Sequence, residues 1–266
     1  MTTTESSEDY TQSRQTRVNN AAPAPLPADV GIVAALSIEV GFLLDRLAKV
    51  RKYSGPKHTI IEGELGSKLV VVIIAGMGSE RIRQGAQLLL DGHRPRWIFS
   101  VGFAGALNPE LARLDLVLAD EVLDLESGRF AIDVAIPSDS RFRSVHTGKL
   151  LTVDQIIATA AEKAELRSRT GADIVDMESS AVASLCSERS IRFLSIRVVS
   201  DDARSDLPPE VVSMLTQSGS YRVGAALRAL WKRPSSIKDF WALHEHAQEA
   251  ADRLATFTAE AIGQID

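Results

Sequence analysis

Almost no large aliphatic side chains occur in the first 28 residues, and the pattern changes abruptly at Val30. VGIVAAL is a short continuous apolar run, as expected of a strand buried on both faces. SIEVGFLLDRLAKV follows with helical spacing, placing Val40, Phe42 to Leu44 and Leu47 toward one side. KHTIIEGELGSKLVVVIIAGMG predicts a hairpin feeding a buried strand, ERIRQGAQLLLDG a helix, and WIFSVGFAGAL another buried strand that ends at glycines. LDLVLADEVLDL and GRFAI predict further strands, and DQIIATAAEKAELRSRT contains a helix. DIVDMESSAVASLCSERS runs from strand to helix, and IRFLSIRVVSDDA is a strand. Buried strands alternating with helices predict an α/β fold, a three-layer α/β/α sandwich around a mixed, largely parallel sheet.

Residues 1–28, rich in Ser, Thr, Pro and Ala, cannot bury enough apolar surface to offset their ordering entropy and predict a disordered tail. Residues 29–209 are expected to form the α/β domain. Residues 210–266 predict two or three amphipathic helices broken by Pro234, a helical extension packed on the core through Trp231, Phe240, Trp241 and Phe257.

Composition narrows the function. The 266 residues are 45% hydrophobic and 24% charged, an ordinary globular balance. A net charge of −5 gives no global pull toward nucleic acid or anionic lipid, and no apolar run reaches the ~18–20 residues of a membrane span. The basic run Arg222, Arg228, Lys232 and Arg233 reads as a solvated face. A single cysteine, Cys186, excludes an internal disulfide and a multi-cysteine metal site. It lies in an apolar helical stretch and is expected to be buried and inert. His244 and His246 fall on opposite sides of a helix and offer no metal-ligand geometry. With no basic start followed by an apolar core, the expectation is a cytoplasmic protein without nucleic-acid partner, membrane contact, metal or cofactor.

In parallel α/β sheets, ligands gather beyond the C-terminal ends of the strands. Four such ends carry unusual residues: Glu39 just after the first strand, the turn Gly76–Ser79, Gly102–Leu107, and the pair DMES (176–179) with VSDD (199–202). Strand-end glycines let a ligand approach the backbone and expose amide donors. No GxGxxG follows the first strand, where Ala34, Ala35 and Leu36 stand instead, so a dinucleotide site is not expected.

In this order, GIVAALSIEV, AGMGSERIRQGA, SVGFAGALNPEL with DLVLADEV, DIVDMESSAVA and SIRVVSDDA resemble the nucleoside phosphorylase/nucleosidase superfamily over residues 30–206. The likeness is greatest to its 5′-methylthioadenosine/S-adenosylhomocysteine nucleosidase branch. DLPPEVV and RPSSIKDFWALHEHAQEAADRL are more loosely similar to a sub-branch associated with hopanoid biosynthesis. The resemblance implies cleavage of the N-glycosidic bond of a purine nucleoside. It assigns Asp201 as general acid at the purine N7, Glu178 as anchor of the ribose hydroxyls with Met177 against the sugar, and Glu39 as the base that orients the attacking water. To act near neutrality Asp201 must retain its proton, through burial or a neighbouring carboxylate such as Asp202 or Asp206. Phe103, Ala104, Gly105, Ile156 and Ile157 are expected at the base pocket, with Leu151 nearby, and Gly76, Gly78 and Ser79 near the nucleophile. A homodimer is implied.

The nucleophile itself stays open at this level. Phosphorylases of this superfamily hold phosphate with an arginine and a serine near the third motif, where this chain has Ser100 and Phe103. That loss favours water. A phosphorolytic enzyme, acting on an adenosyl-lipid for instance, is the alternative, with the amides of residues 76–79 as cradle and Arg81 or Arg83 assisting. A catalytically silent nucleoside-binding protein is the third, disfavoured because three acidic residues are kept.

Overall fold

A computed structural model describes residues 27–55, 58–126, 128–133, 145–209, 212 and 236–265, with side chains described throughout except at 236–246. The predicted tail therefore lies almost wholly outside the described residues, as do Arg222, Arg228, Lys232, Arg233 and the side chains of Trp231, Phe240 and Trp241.

Among the described residues, ten strands form one mixed sheet: β1 (Val30–Ala34), β2 (Ala48–Ser54), β3 (Thr59–Leu65), β4 (Lys68–Ile74), β5 (Trp97–Ala106), β6 (Leu116–Asp124), β7 (Gly128–Ala131), β8 (Val145–Thr152), β9 (Ile174–Asp176) and β10 (Arg192–Asp201). The helices among the described residues are α1 (Ser37–Leu44), α2 (Ser79–His93), α3 (Ala160–Thr170), α4 (Ser179–Arg189) and α5 (Ser236–Gln264). β5 is the hub. It runs parallel to β1 over Trp97–Ser100 and to β10 along most of its length, and its last residues, Gly105 and Ala106, pair antiparallel with β9. Because β10 also pairs β6, β6 pairs β8 and β8 pairs β9, the strands β5, β10, β6, β8 and β9 close into a ring. One end of the sheet thus curls on itself and brings the ends of β5, β9 and β10 together.

The continuous apolar runs explain the layering, since successive side chains of a strand point to opposite faces. Val30 and Ile32 of β1, with Val70 and Val72 of β4, face α1 and α5, where Val40, Leu43, Leu254, Phe257 and Ile262 close one core. Val33, Val71 and Ile73 face α2 and α4, against Ile82, Leu89, Val182, Leu185 and Cys186. Burial there pushes the Cys186 thiol up to about 12, which removes it as a nucleophile. The start of α3 is set by a capping box. Thr159 accepts from the Glu162 amide, and Glu162 reaches back to the Thr159 amide. Gly171, at φ +71°, closes the helix.

Two segments depart from the sequence pattern. The apolar spacing carried α1 through Val50, but the helix ends at Leu44 and Ala48–Ser54 forms an exposed edge strand paired with β3. Leu47 is buried in both versions, and the β-branched and aromatic Val50 and Tyr53 suit a strand. The segment around GKLL, to which the apolar pattern assigns no element, is β8. Its Leu151 belongs to a core cluster with Leu107 and Leu123, which removes it from the base pocket.

Candidate active site

The loop after β1, the ends of β5, β9 and β10 and the first turns of α1 and α4 surround a cavity of about 410 Å³. Glu39, Phe103, Ala104, Gly105, Ile156, Ile157, Met177, Glu178 and Asp201 all line it. Val153, Gln155, Asp176, Ser200 and, from α5, Ala247 and Ala250 complete much of the wall.

Its floor is polar and highly organised. Glu39 occupies the third position of α1, and its Oε2 accepts from the amides of Ala35 (3.0 Å) and Leu36 (2.7 Å) while Oε1 accepts from the Phe103 amide (3.3 Å). Burial nonetheless holds its carboxyl above the usual range. Gly102 lies beside it because a Cβ there would stand 2.8 Å from Oε1. Glu178, the N-cap residue of α4, accepts from the Gly78 amide at 3.1 Å. Burial, reinforced by the charges of Asp176 and Glu39, raises its carboxyl to about 7.

Arg197, absent from the sequence-derived set, crosses this floor with only 2% of its surface exposed. Nε and Nη2 donate to Asp176 Oδ2 at 3.0 and 2.9 Å, Nη1 to the carbonyls of Ser100 (2.8 Å) and Ile196 (2.9 Å), and Nη2 also to the hydroxyls of Ser100 (2.8 Å) and Ser179 (2.7 Å). The guanidinium's donors are spent within the protein. Asp176 is further held by the Thr152 hydroxyl and the Ser179 amide. An arginine therefore does stand beside Ser100, supplied by β10 and not by the third motif. Its one sequence signal was a charge inside the buried run SIRVVS, which demands a buried partner. Between Glu39, Glu178, Ser100 and Arg197 remains a space of about 10 Å³, on the order of a single water.

Three polar groups of residues 76–79 are engaged within the protein. The Gly76 amide donates to the Ala35 carbonyl (3.0 Å), the Gly78 amide to Glu178, and the Ser79 hydroxyl to the Met177 carbonyl (3.2 Å). The loop, with Gly76 at φ +86° and Gly78 at φ +102°, serves to hold the 176–179 turn and offers no open cradle from these groups. Arg83 is bound to both oxygens of Glu188 on the outer face of α2 and α4.

Across the cavity, Asp201 Oδ1 accepts from the Ser200 hydroxyl at 2.7 Å. Of the two carboxylates close to it in sequence, Asp202 accepts from the Arg204 amide and Ser205 hydroxyl, and Asp206 from the Ala160 amide. The group that meets Asp201 Oδ2 is a cation, Lys163 Nζ, at 2.7 Å. In AAEKAELRSR this lysine looks like any solvated helix residue, so only the fold reveals it.

A family model described as the Phosphorylase superfamily matches residues 29–232. The chain belongs to the Phosphorylase superfamily. Among its curated relatives, the 5′-methylthioadenosine/S-adenosylhomocysteine nucleosidase of Baumannia cicadellinicola is 29% identical over 66% of this chain and 87% of its own length. Among solved structures, the nucleosidase of that name from Neisseria meningitidis, in complex with methylthio-immucillin-A, aligns with a TM-score of 0.67 at 19% identity, over 89% of this chain and 99% of its own. Futalosine hydrolase of Helicobacter pylori aligns equally well, with a TM-score of 0.69 at 15% identity over 91% and 99%. These structural likenesses show the superfamily fold, which serves more than one substrate, so the chemistry must be read from the cavity.

Glu178 gives a stability signature of this superfamily site. Its carboxyl, near 4.5 when unfolded and about 7 in the fold, keeps its proton longer in the native state. The resulting stabilisation is full below about pH 4.5 and lost as pH rises through about 7. Glu178→Gln cannot lose a proton, so its Tm relative to the parent chain should climb across that window and level off above it. Parallel Tm profiles in differential scanning calorimetry would refute the assignment.

Proposed function

We propose that this chain is a nucleosidase that hydrolyses the N-glycosidic bond of an adenosine-type nucleoside bearing a 5′ substituent, releasing adenine. The observation that carries the reading is the floor. It holds the carboxyl groups of Glu39, Asp176 and Glu178 around one arginine whose donors are already engaged, and its free space is that of a water. A phosphate dianion would meet carboxylates there, and among the described residues lining that space the one cation is the engaged Arg197, whereas a water fits.

In this mechanism the water oxygen bonds to the anomeric carbon C1′ and its proton passes to Glu39. Burial makes Glu39, once ionised, a stronger base. The C1′–N9 electron pair departs with the base, which takes a proton at N7 from Asp201. Glu178 accepts hydrogen bonds from the ribose hydroxyls and stabilises the positive charge growing on the sugar. Met177 packs on the sugar, and Phe103, Ala104, Gly105, Ile156 and Ile157 enclose the purine. Leu36, Met77, Leu114, Leu207 and Pro208 add apolar wall that suits an apolar 5′ group, with Arg113 the one cation among the described lining residues. A homodimeric, cytoplasmic enzyme completes the proposal, supported by the family resemblance.

The test is adenine release from 5′-methylthioadenosine in phosphate-free buffer and in added phosphate. Equal rates, with the free reducing sugar as co-product in both, are expected. Turnover that requires phosphate and yields a sugar 1-phosphate would establish phosphorolysis instead.

A further inference from the structure

Lys163 has no place in the mechanism above, yet it is 0% exposed. Its ammonium carries three protons and meets three acceptors: Asp201 Oδ2 at 2.7 Å, the Asp202 carbonyl at 2.7 Å and the Ser205 carbonyl at 3.1 Å. The two carbonyls belong to the loop after β10 and hold Nζ in place, so the charge is delivered to the carboxyl at a defined point. Asp201 is only 17% exposed, and its other oxygen is held by Ser200. Gly105 leaves room for this group, since a Cβ there would lie 3.1 Å from Oδ2. Burying an ammonium is costly unless it is paired and fully hydrogen-bonded. Tying α3 to the 202–205 loop needs only the two carbonyls, and an uncharged donor could supply that. The contact that calls for a charge is the one to Asp201.

We propose that Lys163 is a positioning residue that acts through Asp201, holding the carboxyl toward the base and stabilising the negative charge left on it when its proton moves to N7. This rests on the nucleosidase reading and names a further participant in it. Asp201, paired with an ammonium in the unliganded chain, takes up its proton from solvent as the nucleoside binds; when that O–H bond breaks, its electron pair stays on Asp201 as a carboxylate. The proton bonds to N7, the C1′–N9 pair leaves with the base, and Lys163 keeps all three protons. The ammonium lies 2.7 Å from the oxygen where charge develops and is itself fully buried, which strengthens such a contact. Its benefit falls on the chemical step, and binding of the ribose is left to Glu178.

A double-mutant cycle on adenine release separates this from a structural role. Lys163→Met should lower kcat by about 10-fold or more, a part of the ~10²- to 10⁴-fold that general acid catalysis contributes, with KM changed by less than about 3-fold. In an Asp201→Asn background the same substitution should cost less than about 2-fold, because no carboxylate is left to stabilise. An equal penalty in both backgrounds, no penalty in either, or an effect confined to KM overturns the proposal. Where Lys163→Met does not fold by circular dichroism, Lys163→Gln, which keeps a donor for the two carbonyls, carries the same comparison. A parent chain that releases no adenine from any nucleoside overturns the nucleosidase reading and this proposal with it. An active parent with additive losses overturns this proposal alone.

Discussion

Asp201→Asn is expected to lower kcat for adenine release by about 10²-fold or more, with KM little changed. The substitution keeps the shape of the side chain and the contact with Ser200 while removing the proton that the departing purine needs. Without that proton the base leaves as an anion, which the apolar pocket around Phe103, Ile156 and Ile157 disfavours. A stability loss accompanies the catalytic one, since Lys163 is deprived of its carboxylate partner at 0% exposure. The rate must therefore be read at a temperature where circular dichroism shows the variant folded. A folded variant with the parent rate removes Asp201 from the mechanism.

The second large effect is on folding. Arg197→Met should cost about 3–5 kcal/mol, the usual penalty for leaving one member of a buried ion pair uncompensated. Asp176 is the group left behind, with a side chain 2% exposed and its Oδ2 stripped of both guanidinium contacts. The Ser100 carbonyl and the Ser100 and Ser179 hydroxyls lose donors as well. Against a total of roughly 5–15 kcal/mol for a folded domain, this brings the chain close to unfolding at 37 °C. Urea denaturation measures it directly. Adding Asp176→Asn should restore part of the loss, because the uncompensated charge disappears. A single variant as stable as the parent would show that the pair contributes nothing.

How much of the site was legible follows from what each residue needs. Glu39, Glu178 and Asp201 were found because each sits at a strand end or first helical turn within a recognisable motif, and all three reach one cavity. Arg197 and Asp176 were passed over. Both lie within the motifs, but their role depends on a contact between β10 and the end of β9 that spacing along the chain cannot express. The acceptors of the Gly76 and Gly78 amides, Ala35 and Glu178, are likewise remote in sequence. Lys163 carried no signal, since an isolated lysine among alanines and glutamates on a helix has the pattern of a solvated face.

The sequence by itself determined the α/β class and the burial of its strands, because a run such as LVVVIIA is stable only with both faces covered. It also determined where the carboxyl groups lie along the chain. What only the tertiary structure decided is the charge each of them meets. The ring of strands β5, β10, β6, β8 and β9 sets Arg197 beneath Asp176, crowds Glu178 against two other acids and seats Lys163 on Asp201. Electrostatic interaction falls with distance in space and strengthens as water is excluded. Both are properties of the packed fold, and neither is written in the order of residues.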